Sequence, residues 1–364
     1  EGTLPTAGAE KHEKWDFGVK YVVGRVRFSA QAMKLSESNR AAFEGVMQRE
    51  MNGLKNTLKA ERGRYIWGDG RGVLALVNGT VSASTTVTVD APGGVEGATT
   101  GNKFLSPGMT IAAINPASGA IRTGVVTISS RASAGTTIVV SAAVSWTDND
   151  YIVRAATTSV TDAANTSYQR EPMGLLGHVD DATYVATYHG INRTNVPLAG
   201  AYVVATTGTL SGDVFQRGID VADQRGDGEI SDLLMHHSVR RAYLVLTDPY
   251  RRYQGGDLMK PDAGTVAATR KKLTFGGITI TCDKYAPYRT IFGIDRNGFY
   301  RYVAVNGEWA DEDGSILRAS GIGTTGVDSW EAFFRVWEEF HCDYPNANFR
   351  LDTVDATAVA MPID

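Results

Sequence analysis

The chain has 364 residues, 43% of them hydrophobic and 21% charged, and its formal net charge is -4 at pH 7. These values are typical of a folded globular protein with one to three domains and exclude a disordered or fibrous chain. A mildly acidic chain also lacks the clustered basic face of proteins that bind duplexes without regard to sequence. Because no signal peptide and no long apolar run are visible, no membrane partner is expected.

The first predicted element is an extended ribbon from about Lys14 to Ala32. Its β-branched and aromatic residues, among them Tyr21 and Phe28, alternate imperfectly with Lys20 and two arginines, which favours a strand over a helix. No neighbouring segment offers the ribbon an enclosed core. Its partner is therefore expected from later in the chain or from another molecule.

A long amphipathic helix is predicted next. Ser36 and Ser38 are suitable N-cap residues, and apolar side chains recur at steps of three and four from Phe43 to Leu58. The helix is expected to end before the glycine-rich run at 68–72, because glycine tolerates the positive φ of a helix exit.

From residue 78 to about residue 156 the composition changes to Thr, Ser, Ala, Val and Gly. Short alternating segments are separated by Gly, Pro and Asn/Asp turns. This pattern predicts a small inserted all-β subdomain, either a barrel or a sandwich. Its role is left open between stabilising outer contacts, presenting a site for a decoration protein, and enlarging a domain.

Mixed structure is predicted after the insertion. Helices are expected to begin near Ser211 and Ser238, because serine is a good N-cap residue. A buried strand is expected between them at 230–235.

Two further elements are predicted near the C-terminus. An alternating segment at 274–283 reads as a strand with 291–294 as its partner. Asp328 and Glu331 form a capping box, which predicts a final helix. Its aromatic stripe, interpreted as core, consists of Trp330, Phe333, Phe334, Trp337 and Phe340.

No motif predicts catalytic, cofactor-binding or metal-binding residues. The glycine pattern Gly321–Gly326 is followed by too few residues for a dinucleotide-binding βαβ unit. The acidic stretch at 223–234 resembles a calcium loop but places an arginine and a leucine where oxygen ligands are needed. The histidines at 236, 237 and 341 lack zinc-ligand spacing, and no nucleophile elbow occurs. The chain is therefore predicted not to be an enzyme and to need no cofactor.

Several blocks of the chain together resemble the major capsid proteins of tailed bacteriophages, which have the HK97-like fold. Each block alone is a weak signal, and their number and order make the resemblance specific. They cover most of the chain outside the β insertion: Leu4-Pro-Thr-Ala-Gly, Lys20 to Ala32, Glu50-Met-Asn-Gly-Leu, Tyr65 to Ala75, Glu171-Pro-Met-Gly-Leu, Asp232 to Tyr243, Phe275 to Asp283 and Trp309 to Leu317.

The resemblance implies an α+β chain with the HK97-like capsid fold: an extended N-terminal loop, a long spine helix, peripheral and axial domains, and the inserted all-β subdomain. The implied boundaries are 1–35 for the extended loop, 36–77 for the spine helix and its exit turn, 78–160 for the β subdomain, and 161–364 for the remaining domains. The start at Glu1 suggests that the upstream strand of the loop was cleaved, was not recorded, or belongs to a reduced arm.

The implied function is that of a major capsid (coat) protein. Such subunits self-assemble through hexamers and pentamers into an icosahedral shell that encloses double-stranded DNA without sequence-specific binding. The expected location is the virion, after assembly in the host bacterial cytoplasm, with scaffold, portal and decoration proteins as further partners. The alternatives are an encapsulin-type compartment that encloses cargo protein, a carbohydrate-binding β-rich tail protein, and a hydrolase with a dispersed site.

Ribbon residues are the predicted inter-subunit contacts. A patch for single-stranded nucleic acid is the alternative, but nearby carboxylates dilute its charge, which favours a neighbouring subunit. The arginines are expected to set register more than affinity. The predicted contacts are Trp15, Phe17, Lys20, Tyr21, Arg25 and Arg27.

Some members of the family crosslink a lysine to an asparagine of a neighbour. Lys11 or Lys14 with Asn346 or Asn348 would be the matching candidates. The crosslink is not expected, because it needs an apolar site that depresses the lysine pKa and these residues are predicted to be exposed.

Overall fold

The computed structural model of the protein describes residues 14–29, 31, 40–97, 100–157, 159, 161–247, 273–311, 314–320 and 329–355. It combines helices with a four-stranded sheet, a six-stranded sheet, a two-stranded sheet and a closed barrel. The helices are α1 (Arg40–Tyr65), α2 (Leu175–His178), α3 (Gly212–Gly226) and α4 (His237–Thr247). The strands are β1 (Lys20–Ser29), β2 (Val73–Val77), β3 (Val81–Asp90), β4 (Thr110–Ile114), β5 (Val126–Arg131), β6 (Thr137–Trp146), β7 (Tyr151–Arg154), β8 (Thr187–Tyr188), β9 (Ile191–Asn192), β10 (Tyr202–Val204), β11 (Asp232–Met235), β12 (Leu273–Phe275), β13 (Ile278–Cys282), β14 (Ile291–Ile294), β15 (Phe299–Trp309), β16 (Arg318–Ser320), β17 (Ser329–Cys342) and β18 (Phe349–Leu351).

The four-stranded sheet contains the predicted ribbon as β1. This strand pairs antiparallel with β17 from Lys20 opposite Glu338 to Ser29 opposite Ser329. Strands β15 and β16 also pair with β17. The backbone partner of the ribbon therefore comes from later in the same chain.

Helix α1 lies against one face of this sheet and is about 39 Å long at 1.5 Å per residue. The helix comes close to strand β1 at Gly24, where an added Cβ would lie 2.7 Å from Leu54 Cδ1 and 3.0 Å from Leu58 Cδ1. The apolar stripe of the helix thus covers the strand that immediately precedes it in the order of elements.

The predicted final helix is wrong, because Glu331 and the aromatic stripe lie in strand β17. Residues 329–338 of this strand pair with β1, and residues 334–342 pair with β15. Aromatic residues have high β propensity, and here they occupy both faces of a strand that lies inside the sheet. Long-range pairing therefore outweighs the helical spacing of the stripe. Asp328 lies outside the described residues.

The β insertion is a barrel rather than a sandwich. Strands β2 to β7 close in the order β2-β3-β6-β5-β4-β7. Its interior contains fully buried side chains such as Val87, Val89, Ile111 and Ile138, as expected where alternate positions of each strand face inward. The first barrel strand, β2, precedes residue 78, where the predicted subdomain begins.

The six-stranded sheet has the order β10-β18-β14-β11-β13-β12. Helices α3 and α4 share its core, to which they contribute Phe215 and Tyr243. The predicted pairing of 274–283 with 291–294 is wrong, because β11 lies between them, parallel to β13 and antiparallel to β14.

The helix predicted after Ser211 is confirmed: the Ser211 hydroxyl accepts a hydrogen bond from Val214 N at 3.3 Å. Ser238 instead lies inside the first turn of α4, where it donates its N–H to His236 Nδ1 at 3.2 Å. The predicted caps Ser36 and Ser38 lie outside the described residues, as does the pattern Gly321–Gly326.

Among the helices of the described ranges, none is both long and apolar enough to cross a bilayer.

Gly293 in β14 provides a test of core packing. An added Cβ would lie 2.0 Å from Cε1 of Phe349, whose side chain is fully buried. We expect Gly293→Ala to lower the free energy of unfolding by about 1–3 kcal/mol, measured by chemical denaturation. The matched control is Gly53→Ala in α1, where nothing lies within 4 Å of an added Cβ; it should raise that energy by about 0.5–1 kcal/mol. Equal effects of the two substitutions would contradict the packing.

Candidate inter-subunit surface

Strand β1 has one covered side and one open side. Val26 and Phe28, on the side that faces α1, are each 8% exposed, whereas Tyr21 and Val23 on the other side are 67% and 53% exposed. Among the described residues, no strand pairs with the outer edge of β1. An open edge beside exposed apolar side chains is a template for another chain.

Trp15 and Phe17 turn toward their own chain. The Trp15 ring lies edge-on to Tyr188, with ring centroids 5.2 Å apart. The Phe17 ring stacks on His341 at 4.8 Å and lies 5.1 Å from Tyr302. These two predicted contacts are therefore half-buried within the subunit.

The three predicted cationic contacts also have partners in the same chain. Lys20 Nζ donates to the carbonyl of Gln169 at 3.3 Å. Arg25 pairs with Glu331, and Arg27 Nε donates to Ser329 Oγ at 2.9 Å. The two arginines therefore help to hold β1 to β17, and Lys20 holds the start of β1 to the loop at residue 169. Of the six predicted contacts, Tyr21 presents the most open apolar surface.

Strand β15 adds exposed apolar side chains that sequence reasoning missed. Tyr300, Tyr302 and Val303 are 47%, 45% and 39% exposed. Val23 was also missed, although the alternation of a strand places it on the same side as Tyr21. The sequence contains no comparable signal for the exposed residues of β15, because their exposure depends on β15 being an outer strand of the sheet.

A cleft of about 850 Å³ opens beside Tyr21. The start of β1 forms one wall, and loops of the barrel and of residues 163–170 form the others. Lys20 and Arg170 contribute positive charge, and no carboxylate is among the described residues that line the cleft. The cleft thus suits a neutral or acidic protrusion.

A buried carboxylate joins the sheet to α1. Glu338 of β17 is fully buried and accepts hydrogen bonds from Tyr65 Oη at 2.5 Å, Arg62 at 2.8 Å and Arg301 at 2.6 Å. Burial and the adjacent carboxylate raise the pKa of Tyr65, so its hydroxyl remains a donor. The end of α1 and strand β15 are therefore both fixed relative to β17.

Two of the capsid-like sequence blocks meet at the same place. Arg64 forms an ion pair with Glu171, and Leu175 N donates to the carbonyl of Ile66 at 2.7 Å. Met173 N donates to Glu339 at 2.8 Å. Residues 64–66 and 171–175 thus form one junction, which also contacts β17.

The two asparagines among the crosslink candidates are not exposed as predicted. Asn346 and Asn348 are 8% and 1% exposed. Asn346 Nδ2 donates to the carbonyl of Arg225 at 2.9 Å, Asn348 Nδ2 donates to the carbonyl of Tyr344 at 2.8 Å, and Asn348 Oδ1 accepts from Asp295 N at 2.9 Å. Lys14 is exposed, and Lys11 lies outside the described residues.

In the described part of the chain, no group of three or more His, Cys, Asp or Glu side chains is placed to hold a metal ion.

No family model and no curated protein matches the sequence. Solved structures do match. A chain of the Cyanophage A-1(L) capsid asymmetric unit is 13% identical with a TM-score of 0.40, and the match covers 55% of this chain and 63% of that chain. A chain of the satellite phage P4 procapsid including size determination (Sid) protein is 8% identical with a TM-score of 0.40, covering 98% and 79%.

A further match is a chain of the holo-SrpI encapsulin complex from Synechococcus elongatus PCC 7942, 18% identical with a TM-score of 0.28 and covering 44% of this chain and 55% of that chain. The structure neighbours are thus phage capsid chains and an encapsulin chain.

Glu338 provides a test of the junction. Glu338→Ala leaves Arg62 and Arg301 without their shared carboxylate, and removal of one partner from a buried ion pair costs about 3–5 kcal/mol. We expect a loss at the lower end of that range, because both arginine side chains are partly exposed, 37% and 34%. Chemical denaturation measures it. The control Glu308→Ala, at an exposed position of β15, should change stability by less than about 0.5 kcal/mol; a similarly small effect at Glu338 would contradict the assigned role.

Proposed function

We propose that the chain is the major capsid (coat) protein of a tailed bacteriophage. It self-assembles through hexamers and pentamers into an icosahedral shell that encloses double-stranded DNA. Assembly takes place in the host bacterial cytoplasm and the product is the virion.

The observation that carries the proposal is the unfinished four-stranded sheet. Its edge strand β1 is ten residues long, lacks an outer partner in the described ranges, and presents Tyr21 and Val23. Its other outer strand, β15, presents Tyr300 and Tyr302. Monomeric proteins usually shorten, charge or cover such edges, and contiguous exposed apolar surface marks interaction sites.

A second copy of the chain is the occupant that best fits this sheet. An edge that is occupied by a different patch of the next subunit gives a heterologous contact, and repeated heterologous contacts close into rings. The cleft beside Tyr21 can receive a neutral or acidic protrusion of that neighbour. Several weak contacts per subunit then become strong through closure of the shell.

Charge supports a container that does not bind DNA tightly. The formal net charge is -4, and the ribbon cations Lys20, Arg25 and Arg27 already have partners within the chain. Sequence-independent attraction to phosphates needs unpaired basic groups. Scaffold, portal and decoration proteins are the further proposed partners, and the barrel is the proposed platform for decoration.

Negative-stain microscopy of the expressed chain, with any scaffold co-expressed, tests the proposal. Uniform closed shells, or separate hexamers and pentamers, are the expected result. Nuclease-protected double-stranded DNA in particles from infected cells is expected in addition. Closed shells that hold cargo protein instead would favour the encapsulin-type alternative, and a stable monomer at high concentration would contradict both.

Val23→Asp tests the open side of β1. The added carboxylate would have to be desolvated at the proposed contact, so we expect at least about a tenfold loss of closed particles. The circular dichroism spectrum of the subunit should not change, because Val23 is 53% exposed. Leu198→Asp, at a 66% exposed position outside this sheet, is the matched control for added charge. Normal assembly of the Val23 variant would rule out this surface.

A further inference from the structure

Residues 14–19 form a strap that has no regular secondary structure. Asp16 N donates to the carbonyl of His189 at 2.8 Å. The strap also makes ring contacts with two histidines: Trp15 lies 5.5 Å from His341, and Phe17 lies 4.9 Å from His189 and 4.8 Å from His341. Trp15 lies against Tyr188 as well, and Phe17 against Tyr302. The two aromatic side chains of the strap thus rest on two histidines and two tyrosines.

A third histidine lies beneath this pair. The ring centroids of His189 and His341 are 5.0 Å apart, and those of His178 and His189 are 5.9 Å apart. His178 already bonds Tyr188 Oη and the carbonyl of Met173. His189 Nε2 and His341 Nδ1 are buried without a hydrogen-bond partner, so a proton gained at either nitrogen would have no acceptor while the strap is in place.

The nearby cations oppose protonation of the cluster, whereas one carboxylate favours protonation of His341. Arg193, paired with Asp180, lies with its guanidinium 4.6 Å from the Tyr188 ring centroid, and Lys20 of β1 adds positive charge near His189. Asp343 pairs with His341 Nε2 at 2.9 Å.

Other titratable groups do not offset this positive charge. Burial raises the pKa of Glu339 to about 7, so this carboxyl is neutral in mild acid. Burial also raises the pKa of Cys342 to about 12 and that of Tyr188 still higher. The strap's own Lys14 and Asp16 have exposed side chains.

We propose that the strap is a pH-sensitive latch, held while His189 and His341 are neutral and released when both are protonated. Release would move Phe17 off the two rings and give their nitrogen atoms access to water.

The direction of the effect follows from the held state. Burial, with repulsion from His341 and Arg193, lowers the pKa of His189 to about 3, and burial lowers the pKa of His341 against the pull of Asp343. In the released state both rings regain pKa values of about 6.5. Below that pH the released state binds more protons, so the ratio of held to released strap falls about tenfold per pH unit through His189. His341 adds to this fall in the same direction, and its contribution is at most about a further tenfold per pH unit.

Hydrogen exchange of the full chain, read by mass spectrometry between pH 7.5 and pH 5, tests the latch. After correction for intrinsic exchange, protection of residues 14–19 should fall by up to about 100-fold per pH unit below about pH 6.5. Protection of 329–342 should remain. A strap whose protection does not depend on pH, or that loses protection only together with 329–342, would overturn the proposal.

The double variant His189→Asn with His341→Asn removes both titrating groups. Its strap should exchange faster at every pH but without the steep acid dependence. His237→Asn, on α4 and outside the cluster, is the control and should leave the dependence intact. If the double variant does not fold, His189→Asn alone should reduce the slope to no more than about tenfold per pH unit; an unchanged slope in either variant would overturn the latch.

Discussion

The buried carboxylate of Glu338 is the constraint on which this structure depends. It lies in the strand that is flanked by β1 and β15, it is fully buried, and it stands opposite Lys20 in the register of β1. A buried charge without partners costs several kcal/mol, so Tyr65 and Arg62 at the end of α1 and Arg301 of β15 must converge on it. One side chain thereby holds α1, β15 and β17 in a single frame, and the ribbon β1 joins that frame through its backbone pairing with β17.

That frame explains why the sheet ends in open edges. Helix α1 covers the inner face of β1. Arg25 and Arg27 pair with side chains of β17, and Lys20 pairs with the carbonyl of Gln169, so neither this face nor these cations need another molecule. What is left over is apolar: Tyr21 and Val23 on β1, with Tyr300 and Tyr302 on β15. A subunit whose polar groups are paired internally can fold alone, and its remaining apolar edges favour association with other copies. Stepwise self-assembly requires both properties.

Local signals predicted the elements whose residues interact locally. The helix after Ser211 begins with a capping serine, and the alternation of the insertion produced strands, as expected from period-two patterns. The strand at 329–342 was missed because its aromatic residues satisfy helical spacing as well, and its partner β1 lies some three hundred residues away. The histidine cluster draws on segments near residues 178, 189 and 341, so no single window contained it. Of the six predicted contact residues, sequence could not tell Trp15 and Phe17, which turn inward, from Tyr21, which faces out.

In the proposed shell, neighbouring copies of the chain complete the open side of the four-stranded sheet. A cryo-electron microscopy reconstruction of assembled particles would test this contact. We expect β1 to pair with β17 of the same subunit while Tyr21 and Val23 are covered by the next subunit. Particles in which these two side chains face solvent in every copy, or in which β1 pairs with β17 of a different subunit, would contradict it.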